Sequence, residues 1–188
     1  LFQIEGAYAL TILTNKKLIG VRDPLGIRPL VLGELNGSYI LASETCALDI
    51  VGANFLREIE NGEIVIITDN GIESLKPFPK LKPRPCIFEY IYFARPDSNL
   101  AGKNVYECRK SLGRQLAIEA KVNADMVIPV PDSGVPAAIG YAEASKIPFE
   151  LGIIRNHYVG RTFIEPSQAI RALSVKLKHN ANHFLLKG

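Results

Sequence analysis

The side chains in this sequence that could bind a metal, attack a substrate or move a proton are few, and their spacing limits what they can do. The three cysteines are Cys46, Cys86 and Cys108. There is no CxxC pair and no His/Cys cluster, so the chain does not spell a complete metal site. An odd, sparse count argues against a disulfide framework and for a reducing compartment. The ordinary reading of each thiol is a small buried hydrophobe. Ser133 lies in the turn Pro131-Asp132-Ser133-Gly134. Its hydroxyl suits a hard cation such as Mg²⁺ or can cap a following helix, and spacing alone favours the cap. Charge is concentrated near the end. Residues 151–188 hold Arg155, Arg161, Arg171, Lys176, Lys178 and Lys187 against the single acid Glu165, a net +5 that leaves −2 for residues 1–150. His157, His179 and His183 lie in the same stretch. A basic segment suits an anionic partner, whether phosphate, nucleic acid or membrane surface. Charge alone favours a solvated face or a helix end. Arg22, Asp23 and Arg28 form a further charged group that could be read as catalytic.

The elements that must position these residues follow two grammars. Residues 1–75 read as antiparallel β structure. Gly6–Thr14 and Lys17–Arg22 flank Asn15-Lys16, Pro29–Leu35 and Ser38–Ala42 flank Asn36-Gly37, and Glu63–Thr68 and Ile72–Leu75 flank Asp69-Asn70-Gly71. Asn-Gly between apolar runs signals a hairpin because both residues tolerate positive φ. Residues 43–50 suit a short helix capped by Ser43 and ended by Gly52. Residues 76–85 contain four prolines and four basic residues. That composition excludes a helix or central strand and reads as an extended linker. Beyond it, Val105, Cys108, Leu112, Leu116 and Ala120 recur at helical spacing. Ala124–Pro131 suits a buried parallel strand, Val135–Ser145 a helix and Pro148–Ile154 a second strand, which together make a βαβ unit. Its turn, residues 131–134, then sits at the carboxyl edge of the sheet, where open α/β folds take ligands.

The length of 188 residues allows one or two domains, and 47% apolar with 22% charged residues is ordinary for a globular protein. No apolar run is long enough to cross a bilayer. Residues 1–9 lack the basic start and cleavage site of a secretory signal. Position 1 is Leu, which suggests that the true N-terminus lies elsewhere.

Five strings, in this order, resemble one family over nearly the whole chain: RDPLGIRPL (22–30), ASETCA (42–47), FEYIYFARPDS (88–98), VPDSG (130–134) and YVGRTFI (158–164). The family is the amidophosphoribosyltransferases. RDPLGIRPL is shared in variants with related glutaminase domains, whereas FEYIYFARPDS followed by YVGRTFI is highly specific. The resemblance implies the C-terminal part of an N-terminal-nucleophile glutaminase domain at residues 1–79, a linker at 80–85, and the first part of a type I phosphoribosyltransferase domain at 86–188. The implied fold is α+β followed by α/β. The implied reaction makes 5-phosphoribosylamine from phosphoribosyl pyrophosphate and glutamine-derived ammonia, the first step of de novo purine synthesis. A cytoplasmic homo-tetramer is implied, without nucleic-acid or membrane partners.

The resemblance also assigns residues. Arg155, Tyr158 and Arg161 fall in the family's mobile loop, which closes over the active site. Ser133 becomes a Mg²⁺-site residue, and Cys86 becomes one of four ligands to the 4Fe–4S cluster of many bacterial members. Arg22, Asp23 and Arg28 take a structural role. The chain departs from the family where Arg155-Asn156-His157-Tyr158 stands for the usual Lys-Asn-Arg-Tyr. Arg keeps the charge with a different geometry, and His157 replaces a permanent cation with a titrating one. A non-enzymatic ligand-binding or regulatory module on a phosphoribosyltransferase fold is the rival reading. It leaves the glutaminase-like hairpins unexplained. A nucleic-acid binder is the weaker rival, because the basic stretch has no recognisable motif.

The family's nucleophilic cysteine is the first residue of the mature chain, and its acidic substrate loop would follow residue 188. Residues 1–188 by themselves are therefore expected to be inactive and to release no glutamate from glutamine, since a weak nucleophile needs its activating surroundings. A glutaminase assay checks this; release above the buffer rate that is abolished by substitution within the chain would contradict it.

Overall fold

The computed structural model describes residues 1–160, 164 and 166–186. It is mixed α/β and divides into two compact units, Leu1–Val105 and Tyr106–Gly188. Among the described residues no helix is long and apolar enough to cross a membrane.

The first unit holds the expected hairpins. β1 (Ala9–Leu13) pairs antiparallel with β2 (Leu18–Arg22), ending at Leu13 opposite Leu18. β3 (Val31–Leu35) pairs with β4 (Ser38–Ala42) through Asn36-Gly37. Asn36 and Gly37 have φ of 52° and 82°, the pair of positive angles that the tight hairpin turn requires. After α1 (Thr45–Val51) comes β5 (Asn54–Glu58), which the sequence pattern did not reveal and which pairs with the other edge of β3. β6 (Ile64–Thr68) and β7 (Gly71–Leu75) form the third hairpin. The strands assemble as a four-stranded sheet, β1-β2-β6-β7, and a three-stranded sheet, β4-β3-β5.

β3 carries the core on both of its faces. Leu30 and Leu32 join Ile59, Val65 and Ile67 in one buried cluster. Val31, pointing to the opposite face, joins Leu48 of α1 and Ala53 in another. The helix ends as expected at Gly52, in the left-handed conformation at φ 73°. Its start differs from expectation. The N-cap residue is Glu44, not Ser43, and no side chain caps the helix. The Glu44 carboxylate is used in longer-range bonds described below.

Residues 76–85 have no regular structure, as their prolines dictate. They are nevertheless bonded to the first unit. Arg84 N–H donates to Leu25 C=O at 2.8 Å, Cys86 N–H to Ile27 C=O at 3.1 Å, and Phe78 packs on Phe2 with ring centroids 5.0 Å apart. The chain then makes one turn of π-helix at Glu89–Phe93 and a small hairpin of β8 (Asn99–Leu100) and β9 (Lys103–Asn104). Residues 86–105, expected to open the second domain, thus pack within the first compact unit. Their own cluster of Ala94, Leu100 and Val105 is fully buried.

In the second unit α2 (Val105–Glu119) and α3 (Val135–Ser145) form where expected. However, α2 buries Val105, Arg109, Gly113 and Ala117 and leaves Leu112 and Leu116 of the expected apolar face exposed, because its close neighbour is reached through Gly113. The two helices cross closely at two glycines. A Cβ on Gly113 would lie 1.9 Å from the Ala137 carbonyl oxygen, and one on Gly140 would lie 2.0 Å from that of Lys110. The βαβ unit is present in reduced form, as a parallel bridge between Val127 and Phe149 on either side of α3. Then follow β10 (Ile153–Arg155), α4 (Gln168–Lys178), β11 (His179–Ala181) and α5 (His183–Leu186). Part of the basic stretch is therefore helix. Ser167 caps α4 by accepting from Ile170 N–H, and Lys176 and Lys178 occupy its last turn, where cations complement the helix dipole.

One buried ion pair gives the first unit a testable acid response. Glu63 is 1% exposed. Its carboxylate accepts from both terminal nitrogens of Arg57 at 2.7 and 2.9 Å, from Ser74 Oγ at 2.6 Å and from Glu60 N–H at 2.6 Å. Burial pushes the carboxyl upward, but these bonds and the Arg57 charge outweigh it and hold the pKa at about 2. A depressed carboxylate stabilises the fold above its unfolded value and loses that contribution as pH falls through the folded value. Stability is expected to drop between pH 4.5 and about 2. Glu63→Gln should flatten that drop and lower stability at neutral pH by about 2–3 kcal/mol, because it leaves Arg57 without its charge partner. Urea unfolding across this pH range checks both.

Candidate functional site

The charged residues of 22–28 build a loop. Asp23 is wholly buried, and its carboxylate accepts from the N–H groups of Leu25, Ile27 and Arg28 at 3.0–3.4 Å. Its carbonyl accepts from Gly26 and Gly62 N–H, both at 3.0 Å. Arg22 spans the loop from inside. Its Nε donates to Arg28 C=O at 2.9 Å and its terminal nitrogens to Ile59 C=O at 2.6 Å and Gly26 C=O at 3.3 Å, with Glu58 at 3.6 Å. Arg28 Nε lies 3.0 Å from the Glu89 carboxylate, and its guanidinium sits over the Phe93 ring, 5.1 Å from the centroid. Burial raises the Glu89 pKa, partly offset by Arg28. These residues have the structural role expected of them.

The string 42–47 meets the string 88–98 in the same unit. Glu44 Oε2 accepts from Arg95 N–H at 2.7 Å and from Ser98 Oγ at 2.8 Å, and lies 3.7 Å from the Cys46 thiol. Thr45 Oγ1 accepts from Asn99 N–H at 2.9 Å, and Glu58 Oε1 from Ala101 N–H at 2.5 Å. Burial raises the Cys46 thiol pKa above its ordinary value, so this cysteine is a protonated core group.

In the second unit the turn of residues 131–134 leads into α3, beside the parallel bridge. Asp132 is exposed and its carboxylate pairs with the terminal nitrogen of Arg155, the last residue of β10. That bond joins the turn to β10. β10 and β11 are antiparallel, with Arg155 opposite His179, and Asn156 N–H donates to Lys178 C=O at 2.7 Å. The arrangement brings a guanidinium and an imidazole together at one strand end, bonded through Asp132 to the turn that holds Ser133. Such donors suit an oxyanion.

The residues predicted for the site divide accordingly. Ser133 lies half-buried in the turn, and α3 begins after it with no side-chain cap, so the capping reading fails. Arg155 pairs with Asp132, the residue before Ser133. Tyr158 is fully exposed, in a turn where its N–H donates to Asn156 Oδ1 at 3.0 Å. Arg161 lies outside the described residues. Cys86 is half-buried at the head of the π-helical turn. Among the described residues no three His, Cys, Asp or Glu side chains gather as a metal site. The residues present therefore do not make a cluster site around Cys86, nor a complete Mg²⁺ site around Ser133. His179, brought opposite Arg155, was given no site role from sequence, because its neighbourhood depends on the pairing of two three-residue strands.

A glutamine amidotransferase domain model matches residues 1–49. The chain is 59% identical to the amidophosphoribosyltransferase of Rhizobium etli over 99% of its own length and 38% of that protein. It is 53% identical to the chloroplastic amidophosphoribosyltransferase of Glycine max over 98% of its length and 33% of that protein. A solved structure of glutamine phosphoribosylpyrophosphate amidotransferase from Bacillus subtilis, complexed with ADP and GMP, superposes with a TM-score of 0.88. It is 52% identical, and the match covers 98% of this chain and 40% of that one. The chain thus spans about two fifths or less of the relatives it matches.

The Glu44 bonds predict a local response. Glu44→Ala should speed amide exchange at Arg95 by at least about tenfold, since a hydrogen bond to a charged group contributes roughly 1.5–3 kcal/mol. Asn99, held by Thr45, should change less. Native-state hydrogen exchange read residue by residue checks this; equal protection at Arg95 in both proteins would contradict it.

Proposed function

We propose, from the premise that this chain is homologous over nearly its whole length to part of the amidophosphoribosyltransferases, that it serves the transfer of glutamine-derived ammonia onto phosphoribosyl pyrophosphate. The observation that carries the reading is the Arg155–Asp132 contact. It joins the turn before α3 to β10, the strand that ends at Arg155. Residues 1–79 are read as part of the glutaminase domain, and residues 86–188 as part of the phosphoribosyltransferase domain, whatever compact unit residues 86–105 fold into.

The chemistry follows from the charges. Ammonia's lone pair forms a bond to the anomeric carbon of the ribose while the bond from that carbon to the pyrophosphate oxygen breaks. The electron pair leaves with pyrophosphate, and a proton is lost from the new ammonium. Negative charge therefore grows on the leaving group, and a guanidinium in place beside it stabilises that charge without reorganisation. Arg155 takes this role when the phosphates displace Asp132 from its terminal nitrogen. Ser133 would offer its hydroxyl toward a Mg²⁺ carried by the substrate, which would supply charge neutralisation at the phosphates. Tyr158 and Arg161 come over the substrate with the loop and exclude water, which keeps ammonia as the nucleophile. Cys86 is read as a ligand of an iron–sulfur cluster only together with cysteines outside these residues, and no step depends on it. The active form is read as a cytoplasmic homo-tetramer, although relatives with chloroplastic names make location a property of the organism.

Arg155→Ala in the intact protein is expected to lower turnover at least tenfold, about 1.4 kcal/mol of barrier, with a smaller change in KM for phosphoribosyl pyrophosphate. Arg155→Lys should recover part of the loss, because an ammonium keeps the charge but not the fork. Arg161→Ala is expected to behave like Arg155→Ala. Near-normal turnover of Arg155→Ala would overturn the reading of this site.

A further inference from the structure

We propose that His179 is a second contact for the anion that Arg155 binds, and so a binding residue for the diphosphate of the substrate. The proposal rests on the site reading given above. Arg155 and His179 are directly opposite each other on antiparallel β10 and β11. Directly opposed residues project from the same face of a sheet, with Cβ atoms about 4.5–5.5 Å apart. Arg155 Nε and His179 Nε2 are each buried, and neither has a hydrogen-bond partner. Buried polar atoms are rarely left unpaired in a finished structure, and two neighbours left so on one face need an explanation.

The chemistry of the two groups narrows the missing partner. A guanidinium has donors only, so whatever completes Arg155 Nε must accept. An imidazole can donate from Nε2. A phosphate oxygen accepts from both at once. The turn of residues 131–134 adds to the case, since Asp132 already pairs with the far end of the same guanidinium. The pair of unpaired nitrogens therefore borders the place where a ligand must come to displace Asp132. The competing explanation is structural: His179 Nε2 simply accepts from Arg155 Nε–H after a small side-chain adjustment. In that case the imidazole takes no part in binding.

The test uses inorganic pyrophosphate as the probe and the intact protein labelled with ¹⁵N-histidine. The His179 Nε2 resonance is expected to move saturably, with the same Kd that calorimetry gives. His179→Leu should weaken pyrophosphate binding at least about fivefold, and His179→Gln, which keeps an N–H donor, should retain most of the affinity. A His179 signal that stays still at saturation overturns the proposal, and this measurement on the unsubstituted protein holds even if His179→Leu folds poorly. Unchanged affinity in a folded His179→Leu protein, with Arg155→Ala weakening binding, overturns this proposal alone. Pyrophosphate binding indifferent to Arg155→Ala overturns the site reading and this proposal together.

Discussion

Asp23 is shut away from solvent, and its carboxylate is spent on three backbone N–H groups of the turn that follows it. Burying a carboxylate is costly unless hydrogen bonds replace the lost water, and the turn supplies them. In return the turn becomes rigid enough to serve as a frame. Arg22 spans it, Gly62 closes on it, and Arg84 and Cys86 donate back to its carbonyls. Gly26, with φ of 63°, occupies the tightest point, where a side chain would strike Asn61. The run of residues 22–30 is thus best understood as a backbone device whose charged side chains satisfy backbone groups.

The second layer of organisation rests on that frame. Arg28 leaves it to meet buried Glu89, and Glu44, freed from capping its own helix, holds Arg95 and Ser98. Glu44 and Glu89, from two different stretches, each bind a part of the chain far away in sequence. The strings that carry the family resemblance in the first unit are therefore mutual hydrogen-bond and ion-pair partners. This gives a physical reason for their joint occurrence. A change in one leaves a buried charge or an unmatched N–H in the other.

How much of this could be read beforehand depended on range. The three hairpins were legible because turn chemistry is local: Asn36-Gly37 needs only its own positive φ angles. The existence of α2 and α3 was legible from the sequence, but the buried face of α2 was not, and the two strands expected around α3 are reduced to a single parallel bridge. β5 was not, because Asn54–Glu58 has exposed residues where alternation should show and gains its identity only from β3. The cap at Ser43 failed because Glu44 had a tertiary use that no spacing reveals. Arg155 was reached through resemblance alone, and the structure adds its bond to Asp132. His179 lay in a basic stretch where composition could say only that some anion or solvent was near. Its register opposite Arg155 is a tertiary fact.

The hydrogen bonds from residues 84–101 back to the first unit bear on how the chain could be cut. Composition puts the seam at the prolines of 76–85. A recombination or expression boundary drawn there would part Arg28 from Glu89 and Glu44 from Arg95. A boundary just after 105 would cut none of these bonds, but it would have to fall inside the first turn of α2. Modular exchange between proteins of this kind is thus constrained by a stretch that is numbered with one half and folded with the other.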